Sequence, residues 1–83
     1  MRVTVRYFAS VREAVGQGSE TVETQATTLA ALRDELIARG EPYAGALARG
    51  RAVRMALDQV MSAESAGLEE GSEVAFFPPV TGG

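Results

Sequence analysis

Glu73-Val74-Ala75-Phe76-Phe77, followed at once by Pro78-Pro79, is the stretch on which the fold turns. A turn through Glu69-Glu70-Gly71 precedes it, and the two prolines end it because proline cannot donate to a strand ladder. It predicts a last strand over Glu73–Phe77, long enough to lie beside a first strand at the other end of the chain. That first strand is Met1–Phe8, which alternates cleanly. Val3, Val5 and Tyr7 point one way, and Arg2, Thr4, Arg6 and Phe8 the other, the period-two signature of a half-buried strand.

Between these ends the pattern changes twice. Ser10–Gly18 is a polar connector with a possible helical turn at Val11–Val15, closed by Gly16-Gln17-Gly18 in what reads as a hairpin turn, and Ser19–Thr24 is the returning strand. Thr27 or Thr28 then caps one helix, Leu29 to Arg39, stopped by Gly40 and Pro42. Leu29, Leu32, Leu36 and Ile37 form its buried stripe, with Arg33, Asp34, Glu35 and Arg39 on the solvated side. Tyr43–Ala48 can add a helical turn, and Arg51–Leu57 and Gln59–Met61 read as short strands around Asp58. Strand, strand, helix, strands, strand describes an α+β roll: a mixed sheet with one main helix across one face, the β-grasp or ubiquitin-like architecture. Residues 1–79 are expected to form the domain, and 80–83 a flexible C-terminal tail.

Composition narrows the chemistry. The chain has 83 residues, and a domain of this size buries only roughly 60% of its unfolded surface, leaving no deep private pocket. It has no Cys, His, Trp or Lys; every basic residue is Arg. Zinc-type ligand sets, Cys or Ser–His nucleophiles, imidazole acid–base chemistry and Schiff-base lysines are therefore excluded, and no ligand set suggests a metal. A net charge of −3 argues against nucleic acid, which a basic stripe would bind. The longest apolar runs, Leu29–Leu32 and Val74–Phe77, are too short for a membrane span, and the first residues form no signal-peptide apolar region. A cytoplasmic location is the expectation.

The end of the sequence carries the functional signal: Phe76-Phe77-Pro78-Pro79-Val80-Thr81-Gly82-Gly83. The prolines hold the base of the tail extended. Val80–Gly83 then makes an arm about 13 Å long, the reach of four extended residues. Gly82 and Gly83 lack Cβ atoms, so such a tip fits a channel that would exclude any side chain. What it delivers is a carboxylate, inert until activated, for instance as an acyl-adenylate. Farther back, Phe8 and Phe77 fall in the outward phase of their strands and Tyr7 and Phe76 in the inward phase, while Met61 is placed on the same outer face. Apolar residues clustered on neighbouring strands near the tail's exit would form a partner-docking patch.

Taken with the β-grasp order, the turn Leu68-Glu69-Glu70-Gly71-Ser72-Glu73-Val74 and the last eight residues, the chain resembles the small, sulfur-carrier subunits of molybdopterin synthase. The likeness runs from Val5-Arg6-Tyr7-Phe8-Ala9 and Val11-Arg12-Glu13 through the Leu29–Leu36 helix to the tail. Asp58 departs from it, standing where that family commonly has Asn; both residues suit a tight turn. The resemblance implies that Gly83 is adenylated by an ATP-using, E1-like activating enzyme and converted to a thiocarboxylate with sulfur from a separate donor protein. It implies that the tail, Val80, Thr81 and Gly82 included, then inserts into the large catalytic subunit of a heterotetramer. There Gly83 gives sulfur to cyclic pyranopterin monophosphate, and two deliveries build the dithiolene that binds molybdenum. Phe8, Met61 and Phe77 match positions that dock on those partners. The chain would bind no cofactor itself and would serve as a co-substrate whose chemistry the partners catalyse. Three other readings stay open at this point: a carrier for thiazole synthesis or tRNA thiolation, a protein modifier joined through Gly83 to lysines of targets, and a binding module with an inert tail.

Overall fold

The computed structural model describes residues 1–79. Five strands form one mixed sheet in the order β2-β1-β5-β3-β4, with β1 at Arg2–Tyr7, β2 at Ser19–Glu23, β3 at Arg54–Leu57, β4 at Val60–Met61 and β5 at Glu73–Phe77. The last strand lies beside the first: β1 and β5 run parallel, pairing Val5 with Val74 and Tyr7 with Phe76, while the other neighbours are antiparallel. The helices are α1 (Ala9–Val15), α2 (Leu29–Ile37) and the single turn α3 (Tyr43–Ala46).

The alternation of β1 sets the core. Val3, Val5 and Tyr7 are almost fully buried on one face, together with Val74 and Phe76 of β5 and Met55 of β3. Leu29, Leu32 and Leu36 of α2 have no exposed surface and belong to the same cluster. Thr28 caps α2, its hydroxyl accepting from the Ala31 N–H at 3.1 Å, so one of the orphan donors of the first turn is satisfied. The turn before β5 is fixed by Gly71, whose φ of 83° favours a residue without Cβ, and by its N–H donating to the Arg2 carbonyl at 2.8 Å. Asp58 and Gln59 both have positive φ, as a two-residue primed hairpin turn requires. The Asp58 carboxylate also accepts from the Glu73 N–H at 2.9 Å, tying the β3–β4 turn to the start of β5.

Several expectations are corrected. The connector after β1 is a seven-residue helix burying Val11 and Val15, and Gly16 is its left-handed C-cap, so Gly16-Gln17-Gly18 ends a helix and is not a hairpin turn. α2 stops at Ile37, short of Arg39. β3 begins at Arg54, not at Arg51, because the Arg51 N–H closes a turn onto the Ala48 carbonyl.

Arg33 is the largest departure, since it is buried and not solvated. Its position, four residues after Leu29 and three before Leu36, lies on the apolar stripe. There its Nε donates to the Leu47 carbonyl and a terminal nitrogen to the Ala48 carbonyl, both at 2.8 Å, and Glu64 lies 3.6 Å from the guanidinium. The guanidinium thus gives charged donors to two carbonyls that follow α3, one of which, that of Ala48, also accepts from the Arg51 N–H. Burial and the nearby Arg49 lower its pKa from the ordinary arginine value, partly offset by Glu64 and Asp34.

Candidate functional site

The site expected from the sequence has two parts: the tail, and the sheet face at its base. Val80, Thr81, Gly82 and Gly83 lie outside the described residues. The base of the tail is β5, the central strand, flanked by β1 and β3. Its penultimate residue, Phe76, is fully buried and stacks on Tyr7 with ring centroids 6.1 Å apart. Pro78 and Pro79 follow, both half-buried. The tail is thus attached to the most deeply anchored strand of the sheet.

Register assigns the outer face. Residues directly opposite each other across a pair point to the same side. Met61 pairs with Ala56, Ala56 with Ala75 and Ala75 with Arg6, so these four form one row on the side away from α2. Arg54 pairs with Phe77 in the next row. Phe8 continues β1 in extended conformation (φ −126°, ψ 153°), and its N–H donates to the Phe76 carbonyl at 3.1 Å, bringing it beside Phe77. Ala9 then turns the chain away with a positive φ of 49°.

Phe8, Met61 and Phe77 therefore share one face at the tail's base. Phe8 is 42% and Met61 58% exposed, while Phe77 is half-buried. Ala56 and Ala75 form a low floor between them, buried yet outside the main core cluster. The Arg6 guanidinium carbon sits 5.5 Å from the Phe8 ring centroid, a cation–π contact that holds the ring's edge of the patch. Val60, 64% exposed on the same edge strand, pairs with Leu57 and so lies on the opposite face from Met61, outside this patch.

A polar cluster at the same end of β1 was also not foreseen. Tyr7 and Tyr43 donate their hydroxyls to one oxygen of Glu20, at 2.9 and 2.8 Å, and Arg39 donates to the other at 3.1 Å. Gln17 bridges Glu20 and Tyr43 at 3.1 and 3.0 Å. Burial alone would raise the Glu20 pKa; the hydrogen bonds from Tyr43, Arg39 and Tyr7 outweigh it and hold the carboxyl below its ordinary range. Tyr7 is pushed far up, first by burial and then by its bond to Glu20. Alternation puts Glu20 in phase with buried Val22 and opposite Val5, but its partners come from four other segments and no local pattern reveals them. It ties Tyr7, the stacking partner of Phe76, to the ends of α2 and α3, and so stiffens the support of the tail.

Among the described residues no group of His, Cys, Asp or Glu is arranged to hold a metal ion, and no helix is long and apolar enough to cross a membrane. The cleft beside Pro78, lined in part by Val11, Ala46 and Val53, encloses about 50 Å³, room for a few water molecules. What the geometry offers is a surface to dock and a rigid strand to carry a tail.

Comparison with known proteins agrees with that geometry. A molybdopterin synthase sulfur carrier subunit of Escherichia coli is 41% identical over 81 residues, 98% of this chain and 99% of the relative. One of Haemophilus influenzae is 36% identical over the same shares. Small archaeal modifier protein 3 of Haloferax volcanii is 37% identical over 100% of both chains. Among solved structures, the complex of subunits 1 and 2 of molybdopterin-converting factor from Helicobacter pylori contains a chain that superposes with a TM-score of 0.69 at 25% identity, covering 100% of each chain. Small archaeal modifier protein 1 of Haloferax volcanii gives a TM-score of 0.76 at 20% identity over 95% of this chain and 98% of that one, a likeness of fold. The ThiS family model matches residues 5–83, from β1 through the terminal glycines. The chain belongs to the ThiS family.

Proposed function

We propose that this protein is the sulfur carrier of a molybdopterin synthase, with Gly83 as the carrying residue. The observation that supports this most is the full-length similarity to carrier subunits of that name, together with a family match that runs through Gly82 and Gly83. The architecture fits the role: a domain without Cys, His or Lys, bearing an apolar face where the tail begins.

In this reading a Gly83 carboxylate oxygen attacks the α-phosphorus of ATP on an E1-like enzyme, and pyrophosphate leaves. Sulfide-level sulfur from a donor protein then displaces AMP, leaving a thiocarboxylate. Inside the large synthase subunit that sulfur attacks a carbon of cyclic pyranopterin monophosphate, a C–O bond at that carbon breaks and its oxygen substituent leaves. Water hydrolyses the resulting thioester, so the sulfur stays on the pterin and Gly83 regains its carboxylate. Val80, Thr81 and Gly82 thread the channel, while Phe8, Met61 and Phe77 dock on the activating enzyme and the large subunit in turn. The partners form a cytoplasmic heterotetramer of two carriers and two large subunits.

The test is reconstitution with the large subunit, the activating enzyme, ATP, a sulfur source and the pyranopterin precursor. Molybdopterin is expected with the intact chain and not after deletion of Gly82-Gly83. Equal product from the truncated chain would overturn the assignment. The similarity to small archaeal modifier protein 3 favours a second reading, protein modification through Gly83. An isopeptide bond between Gly83 and a target lysine, found by peptide mass spectrometry of cell lysates, would support it.

A further inference from the structure

The arginines divide into two groups. Arg2 meets Glu23, Arg33 meets Glu64, Arg39 meets Glu20 and Arg49 meets both Asp34 and Glu64. Arg6, Arg12, Arg51 and Arg54 are exposed and have no carboxylate partner among the described residues. Of these four, Arg6 and Arg54 are the two on strands of the outer sheet face: Arg54 opposite Phe77, Arg6 opposite Ala75 and against the Phe8 ring.

The carboxylates gather at the other end of the same strands. Glu69 and Glu70 lie in the turn before β5, Glu73 begins it, Asp58 bonds to the Glu73 N–H and Glu23 pairs with Arg2 at the start of β1. A chain of net charge −3 therefore presents two uncompensated arginines on the sheet face where the tail departs. Arginines held within an apolar patch and left without intramolecular partners are placed for carboxylates that arrive with another surface.

Resting on the carrier reading, we propose that Arg6 and Arg54 select and orient the partner. The surface that receives the tail carries apolar pockets for Phe8, Met61 and Phe77 and, beside them, acidic side chains that pair with Arg6 and Arg54. The apolar contacts hold the complex, and the arginine pairs speed and align the encounter so that the tail meets its channel. Opposite charges outside a docking core act chiefly on the association rate and fade with salt.

The test is the association rate of the intact chain with the large synthase subunit, measured by stopped flow from ~0.02 to ~0.5 M NaCl, for the parent, Arg6→Gln/Arg54→Gln and Arg2→Gln. Thermal unfolding of each variant checks that the fold is kept. The double variant should associate about ten-fold or more slowly at low salt, converge with the parent at high salt and keep its dissociation rate. Arg2→Gln, at the opposite end, should behave as the parent. An equal salt slope for parent and double variant would overturn the arginine proposal while leaving the carrier reading intact. Failure of the parent itself to bind the large subunit at any salt would overturn the carrier reading instead. Binding of ATP or inorganic phosphate alone that is lost in the double variant would also overturn the proposal, making the pair a small-anion site.

Discussion

The two faces of the sheet are built from the same strands and solve different problems. The inner face takes Val3, Val5, Tyr7, Met55, Val74 and Phe76 and closes them under Leu29, Leu32 and Leu36 of α2. The outer face takes the intervening residues, and there Ala56 and Ala75 make a floor edged by Phe8, Met61, Phe77, Arg6 and Arg54. Adjacent aromatics thus have opposite tasks: Phe76 has no exposed surface and anchors the strand, while Phe77, one residue on, is half-exposed beside the tail. The period of two lets stability and recognition share a strand with little interference.

That division can be broken most sharply at the aromatic pair. Phe76→Ala should cost about 3–5 kcal/mol of unfolding free energy, the usual loss for a buried phenylalanine. Phe77→Ala should cost well under half of that while weakening binding to the large subunit, which denaturant melts and a titration of the same variants would check. Equal destabilisation by both would mean that the outer face is a second core. Leu32→Ala extends the inner-face test, with a loss of roughly 2–5 kcal/mol and, at temperatures where it stays folded, sulfur transfer retained.

Arg33 sharpens the comparison from the inner side, where a charge is fully enclosed. Arg33→Met should destabilise by about 1–3 kcal/mol, because the Leu47 and Ala48 carbonyls lose charged donors. Arg54→Gln on the outer face should leave the melting temperature almost unchanged. A stabilised Arg33→Met protein would show that apolar packing outweighs those bonds.

Glu20 gives a pH-dependent test. Its folded pKa lies below the unfolded value of about 4.3, so the stability it contributes is present above that value. It is lost as pH falls through the depressed folded value. Thermal melts between pH ~3 and ~6 should show a shallower decline on acidification for Glu20→Gln than for the parent, with the parent's advantage shrinking and the lines converging below the unfolded value. Parallel lines would remove Glu20 from the account. The smallest effect belongs to Ala9, whose positive φ suits glycine: Ala9→Gly should raise stability by about 1 kcal/mol or less, read from the same melts.

How much of this was legible in the sequence follows from the range of each signal. Strand alternation, the Thr28 cap and the Pro78-Pro79 stop act over a few residues, and they located β1, α2 and β5 and placed Phe8 and Phe77 outward. Arg33 was misassigned because residue type was weighed above position; its i+4 spacing from Leu29 put it on the buried stripe. The Glu20 cluster depends on segments that meet only in the folded chain, so no local pattern announces it. The pairing of Arg54 with Phe77 likewise follows from sheet register, which the strand boundaries alone leave undetermined. The glycine tail is plain in the sequence.

The most direct measurement is the intact mass of the chain after incubation with the activating enzyme, ATP and a sulfur source, with the change localised by fragmentation. The carrier account predicts one oxygen replaced by one sulfur, confined to the peptide ending in Gly83, and reversal when the large subunit and pyranopterin precursor are added. An unchanged mass under those conditions, with the activating enzyme shown to be competent on a known carrier, would contradict it.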